Sequence, residues 1–122
     1  RLHVQDLTPG AALHSESGAP LTTTESGERV VLSEGTWAMK LDEFCAQAGV
    51  WPNTLKIDVD GGEGRVLAGG LHTLSRPDLR SLIVEGGETG LPADVCAVLQ
   101  HAGLRRIEME RCSEAGNQIW VR

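Results

Sequence analysis

The stretch that decides the fold is residues 56–70, which opens Lys56-Ile57-Asp58-Val59-Asp60-Gly61-Gly62-Glu63 and continues Gly64-Arg65-Val66-Leu67-Ala68-Gly69-Gly70. A short apolar run, a Gly-Gly pair and a helical pattern predict a strand, a tight turn and the first turn of a helix. Three carboxylates cross this junction, at Asp58, Asp60 and Glu63. Because ligands bind in open α/β sheets where strands end and helices begin, residues 58–63 form a candidate site.

Helical patterns lie on both sides of that strand. Upstream, Gly49 supplies a left-handed stop after a helical pattern. Its apolar positions are Leu41, Phe44, Cys45 and Ala48. Downstream, Leu67, Leu71 and Leu74 predict the inner face of one helix that ends before Pro77. Glycines 64, 69 and 70 would each cost that helix about 1 kcal/mol relative to Ala, so we expect them to permit close approach of a neighbouring element or a ligand.

The second half of the chain continues the alternation. Ser81–Glu85 predicts a parallel strand covered on both faces, and Pro92 predicts the first position of a helix closed by Gly103. The core stripe of that helix is Val95, Cys96, Val98, Leu99 and Ala102. Strands are predicted over 104–110 and 117–122. They must pair antiparallel, because the short turn at 113–116 leaves no room for a parallel crossover.

These patterns predict an α/β fold with a mostly parallel sheet, helices on both faces and a carboxyl-terminal antiparallel strand pair. A chain of 122 residues has the length of one domain. We therefore expect a single domain over 1–122, with an α/β core at 36–122. Residues 1–35 carry Gly-containing turns between short apolar pieces such as 30–32, which predicts an irregular or hairpin region.

Composition excludes several classes of function. The net charge is −6, the basic residues are scattered, and the aromatic residues are one Phe, three Trp and no Tyr, so we expect no nucleic-acid partner. Cys45, Cys96 and Cys112 form no C-x-x-C pair, which predicts three reduced thiols in a cytoplasmic protein. No run approaches the roughly 18 apolar residues of a membrane span.

The motifs resemble the FkbM family of S-adenosylmethionine-dependent methyltransferases. The resemblance rests on Leu41-Asp42 at a helix start, on Lys56 to Gly70, and on the apolar strand ending at Glu85. It is sharp over residues 41–88. Asp60 stands where the family usually has Glu, and Gly62 and Gly70 replace Ala.

The resemblance implies a Rossmann-like class I methyltransferase sheet and S-adenosylmethionine as cofactor. It also implies a small-molecule acceptor whose hydroxyl, on a sugar, lipid or secondary metabolite, receives the methyl group. The Gly-rich loop with which class I enzymes hold the cofactor is not recognisable in this sequence. We therefore expect the chain to be the carboxyl-terminal part of such a domain, without its first strands, and expect it to bind the cofactor weakly by itself.

Four acids are the candidate catalytic residues: Asp58, Asp60, Glu63 and Glu85. Asp58 can act as base or orienting acceptor, with helix capping as the structural alternative. Glu63 suits the first helical turn regardless of function. Glu85 ends a buried type of strand and needs a cleft or a partner. Lys56 and Asp58 are the candidate cofactor-binding residues, although Lys56 could equally face water.

The four acids together could hold Mg²⁺ or Ca²⁺ through oxygen ligands. No metal is expected, because they do not follow the EF-hand pattern and the four His lack metal-ligand spacing. Two functions remain open. The first is the methyltransferase. The second is a noncatalytic α/β module that uses this part of the sheet for assembly with a partner chain. The sequence also leaves a homo-oligomer open.

Overall fold

The computed structural model describes residues 1–4, 15–16, 21–23, 27, 29–59, 61–86, 90–107 and 116–122. The chain divides into two compact units, Arg1–Ala38 and Met39–Arg122. Among the described residues, no helix has both the length and the apolar character needed to cross a membrane.

The first unit holds a three-stranded antiparallel sheet in the order β2-β1-β3. Its strands are β1 (Leu2–Val4), β2 (Ser15–Glu16) and β3 (Leu32–Glu34). β1 pairs antiparallel with both β2 and β3, and β3 begins at the end of the apolar piece at 30–32. His3 at the centre of β1 is fully buried, and its Nδ1 lies 3.0 Å from the Ser33 hydroxyl.

In its described residues, the second unit holds four helices and a four-stranded mixed sheet in the order β4-β5-β7-β6. β4 and β5 are parallel, whereas β7 is antiparallel to both β5 and β6. The predicted antiparallel pairing of the last two strands is therefore confirmed. The elements are α1 (Leu41–Ala48), β4 (Thr54–Ile57), α2 (Glu63–Ala68), α3 (Leu71–Ser75), β5 (Ser81–Glu85), α4 (Ala93–His101), β6 (Arg105–Ile107) and β7 (Asn117–Val121).

One face of this sheet carries the core. Alternate strand residues Ile57, Leu82, Val84 and Trp120 are buried with leucines of α2, α3 and α4. The intervening residues of β5 are only half-buried, so β5 is not covered equally on both faces as predicted. An unbroken apolar run does not distinguish a strand buried on both faces from a strand buried on one face, since Ile83 is compatible with either environment.

The helix predicted from Leu67 to Leu74 is two helices. α2 ends at Ala68 and α3 begins at Leu71, with Gly69 and Gly70 between them. Leu67 and Leu74 are buried as predicted, but Leu71 is 51% exposed because the break changes the helical phase. The prediction placed Leu71 on the inner face and was wrong there.

Gly70 lies in close contact with α1. A Cβ at Gly70 would lie 2.8 Å from Leu41 Cδ2, and one at Gly69 would lie 3.4 Å from Lys40 Cβ. The predicted close approach is confirmed at these two glycines. Gly64 leaves ordinary space, since its Cβ would lie 3.5 Å from Val95 Cγ2.

The remaining helix predictions hold with small shifts. α1 ends at Gly49, which has the predicted left-handed conformation with φ 66°. Pro92 is the residue preceding α4 rather than its first residue. The predicted stripe of α4 packs on the core, led by the fully buried Leu99. Both Cys45 and Cys96 are free thiols. Cys112 and the turn predicted at 113–116 fall largely outside the described residues.

Candidate functional site

The candidate site lies where β4 and β5 end. In the parallel register Ile57 is opposite Val84, so the next residues, Asp58 and Glu85, reach the same edge of the sheet. Alternation places both side chains on the face opposite the core, because Ile57 and Val84 point into the core. The structure thus gives Glu85 a neighbouring candidate residue, Asp58, at this edge.

Asp58 forms an ion pair with Lys56. The Lys56 Nζ donates a hydrogen bond to Asp58 Oδ2 at 2.6 Å, and both side chains are largely exposed. Lys56 faces water, as one interpretation of the sequence held, but it is also tied to Asp58. The two candidate cofactor-binding residues therefore form one charged group.

The electrostatics of this group have definite causes. The hydrogen bond from Lys56, followed by a hydrogen bond with Glu85 and the charge of Lys56, holds the pKa of Asp58 below its usual value. The hydrogen bond to Asp58 and the charge of Asp58 raise the pKa of the Lys56 ammonium. Asp58 is therefore a weak proton acceptor near neutral pH, which suits an orienting acceptor better than a base.

Asp58 and Glu85 directly follow the paired residues Ile57 and Val84, and the side-chain interaction with Glu85 is one of the causes that lower the pKa of Asp58. Lys56 contacts the same Asp58 carboxylate from its own strand. Asp58 is not the cap of the following helix, because Gly62 precedes α2 and no side chain caps it.

Glu63 occupies a different position. Its side chain is turned back from α2 into the preceding loop, where Oε1 accepts hydrogen bonds from the amides of Val59 at 3.3 Å and Gly61 at 3.2 Å. Glu63 is 9% exposed. The structure thus separates it from the Lys56–Asp58–Glu85 group and gives it backbone partners. Asp60, the fourth candidate acid, lies outside the described residues.

A second feature of the edge was not predicted from the sequence. Gly86, directly after Glu85, donates its amide hydrogen to the carbonyl of Gly116 at 2.9 Å. A Cβ at Gly86 would lie 2.8 Å from that carbonyl oxygen and 2.8 Å from the Leu91 nitrogen, so only Gly fits. In the sequence, the Gly86-Gly87 pair indicated the end of a strand, but it did not indicate which other segment would contact Gly86.

Among the described residues, no group of three or more His, Cys, Asp or Glu could hold a metal ion. The chain was also compared with protein-family models, curated proteins and solved structures, and none of them matches it.

Proposed function

We propose that this chain serves in S-adenosylmethionine-dependent methyl transfer to a hydroxyl of a small molecule, sugar or lipid. The observation that carries the proposal is the contact of Asp58 with Glu85 at the ends of two adjacent parallel strands. Both acids lie in the stretch that resembles the FkbM family. The edge of an open α/β sheet where parallel strands end is the usual place for a ligand.

The residues at this edge fit the chemistry of cofactor and acceptor. Bound S-adenosylmethionine would supply an electrophilic methyl group. The oxygens of Asp58 and Glu85 can accept hydrogen bonds from hydroxyl or ammonium groups, and Lys56 can donate to a carboxylate. A sulfonium cation is also favoured beside an acidic group.

The two acids have different roles in the proposal. Asp58, tied to Lys56, orients the acceptor hydroxyl, since methyl transfer depends on alignment of donor and nucleophile. Glu85 takes the proton of the acceptor hydroxyl as the methyl group is transferred. The proposal also includes the finer fold, a class I methyltransferase sheet with helices on its second face. The parallel β4–β5 pair and the antiparallel finish at β7 support it.

The test uses the protein encoded by the complete reading frame, with transfer of a labelled methyl group to hydroxyl acceptors as the assay. We expect Asp58→Asn and Glu85→Gln each to lower turnover by about 10²-fold or more while the free energy of unfolding changes little. Unchanged turnover in both variants would remove the pair from the reaction. Calorimetry with S-adenosylmethionine on the 122-residue chain itself should show weak binding, and tight binding would contradict our expectation for this chain.

A noncatalytic assembly module is the second candidate. It is favoured by a row of half-buried isoleucines, Ile83, Ile119 and Ile107, on the sheet face opposite the core. Such a row suits contact with another protein surface. Sedimentation of the purified chain distinguishes the candidates. Stable association that is abolished by Ile119→Lys, together with no methyl transfer, would favour the module.

A further inference from the structure

The carboxylate of Glu63 fills the inside of the loop that joins β4 to α2. One of its oxygens, Oε1, receives the amide hydrogens of both Val59 and Gly61. The side chain is nearly buried, so its removal would leave two converging amide groups without this acceptor.

A third hydrogen bond of the loop runs from the Gly62 amide to the Val59 carbonyl at 3.2 Å. Gly61 has φ 93°, which a residue with a side chain adopts only with strain. Val59 directly follows Asp58 in the chain. The position of the Asp58 backbone therefore depends on a loop that is organised around Glu63.

We propose that Glu63 is a positioning residue, which holds Asp58 in place by accepting backbone hydrogen bonds and not by its negative charge or by proton transfer. Lys56 orients the carboxylate of Asp58 from the strand, and Glu63 fixes the backbone that follows it. The consequence for methyl transfer rests on the proposed function, but the effect on the loop does not.

A Gln side chain separates this role from the alternatives. Glu63→Gln keeps a carbonyl oxygen at the same length and removes the charge, whereas Glu63→Ala removes the acceptor. A charge acting on the dipole of α2, or an acid in the reaction, would be lost in both variants. Glu43→Gln is the matched control, since Glu43 is also an acid in the first turn of a helix, α1, but its side chain is exposed.

The first measurement is made by NMR on the 122-residue chain. Hydrogen exchange of the Val59 and Gly61 amides and the pH titration of Asp58 should be unchanged in Glu63→Gln. In Glu63→Ala we expect exchange faster by about tenfold, as for the loss of a hydrogen bond, and a titration midpoint of Asp58 closer to that of a free side chain. Glu43→Gln should change neither quantity.

Two results would overturn the proposal: exchange in Glu63→Gln as fast as in Glu63→Ala, or exchange and titration unaffected in Glu63→Ala. Should Glu63→Ala fail to fold, the comparison of amide exchange in Glu63→Gln with that in the unmodified chain still tests the proposal. Faster exchange in Glu63→Gln would then contradict it. In the methyl-transfer assay, Glu63→Gln should keep kcat and KM, and Glu63→Ala should lower kcat. Absence of methyl transfer in the unmodified protein would sink the proposed function and leave the NMR result valid.

Discussion

Asp58 is held by two neighbours of different chemistry, Lys56 and Glu85, and both act to lower its pKa. Lys56 and Asp58 are two residues apart, so both side chains leave the same side of the chain. That spacing permits the 2.6 Å ion pair on an exposed surface. Glu85 then reaches Asp58 from the adjacent strand and adds a hydrogen bond.

Replacement of Lys56 should therefore raise the pKa of Asp58. The pair is intact above the lowered pKa of Asp58 and is lost as the pH falls through it. In Lys56→Gln we expect the titration midpoint of Asp58, followed by carbon NMR, to move upward. Lys40→Gln is the control, because Lys40 is the other lysine of the chain and lies 4.0 Å from Glu43 instead. An unchanged midpoint in Lys56→Gln would show that the ion pair does not govern Asp58.

The candidate residues differ in how far the sequence could place them. The meeting of Asp58 and Glu85 follows from strand patterns, since residues that end adjacent parallel strands must lie at one edge. The inward turn of Glu63 does not follow from any pattern. It depends on the positive φ of Gly61 and on where two loop amides point, and side-chain spacing carries no information on either.

At the scale of elements, Asp42 joins two helices. It lies in the first turn of α1, but its carboxylate accepts hydrogen bonds at the start of α3. Oδ2 receives the amide hydrogen of His72 at 3.0 Å, and Oδ1 receives the amide and hydroxyl hydrogens of Thr73 at 2.8 and 2.6 Å. Asp42 thus belongs to α1 but caps the start of α3. The residue that precedes α3 provides no side-chain cap.

Asp42→Ala should destabilise the protein by about 1–2 kcal/mol at neutral pH, the usual value of a lost cap. Burial acts to raise the pKa of Asp42, but hydrogen bonds from Thr73 and His72 outweigh it and hold the pKa below its usual value. The contribution of Asp42 is therefore complete above its unfolded-state pKa and is lost as the pH falls through the folded-state pKa.

Urea unfolding of both proteins at several pH values checks this, because the difference between them should shrink on acidification. A constant difference would mean that the charge of Asp42 is not involved. Asp78→Ala provides a control of similar size at a carboxylate whose side chain is mostly exposed and paired with Arg76, and we expect a change below about 0.5 kcal/mol there.

Two glycines of this region should respond to Ala in opposite directions. Gly64→Ala adds a Cβ in ordinary contact within a helix and should stabilise by about 0.5–1 kcal/mol. Gly70→Ala places a Cβ 2.8 Å from Leu41 Cδ2, outside a helix interior, and should destabilise by about 1 kcal/mol. Thermal unfolding of the two single variants measures both. Stabilisation by Gly70→Ala would show that α1 can move away without cost.

The break between α2 and α3 illustrates what a one-dimensional pattern misses. Leu67, Leu71 and Leu74 fit a single helix, and the cost of the glycines was recognised. The neighbour closest to Gly70, Leu41, lies nearly thirty residues earlier in the chain. The contact of Leu41 with Gly70 is a tertiary interaction, and the spacing of apolar residues carries no information about it. The predicted inner face was therefore correct at Leu67 and Leu74 and wrong at Leu71.

At the scale of the whole second unit, Arg122 connects elements that are distant in sequence. Its guanidinium donates hydrogen bonds to the carbonyls of Leu74 at 2.7 Å, Leu79 at 3.0 Å and Ala102 at 3.1 Å. These carbonyls lie near the end of α3, before β5 and after α4. A planar group with fixed donors is well suited to join three such acceptors at once.

Arg122→Ala should destabilise the protein by about 2 kcal/mol or more, because three carbonyls lose a charged donor. Arg122→Lys should recover only part of the loss, since an ammonium group cannot reproduce the fork. Arg105→Ala, at an exposed position of β6, should stay within about 0.5 kcal/mol of the unmodified protein. Chemical denaturation of the three variants measures these effects. Equal stability of Arg122→Ala and Arg122→Lys would show that the planar arrangement of the guanidinium donors does not contribute.

The strand order also constrains the sequence of events during folding. β7 follows β6 along the chain but lies between β5 and β6 in the sheet. β6 pairs with β7 and not with β5, so we expect β6 to join the sheet together with β7. A nascent chain must therefore keep the free edge of β5 exposed until residues 117–121 have been made. We expect this interval to be the one in which β5 is most open to pairing with a wrong strand.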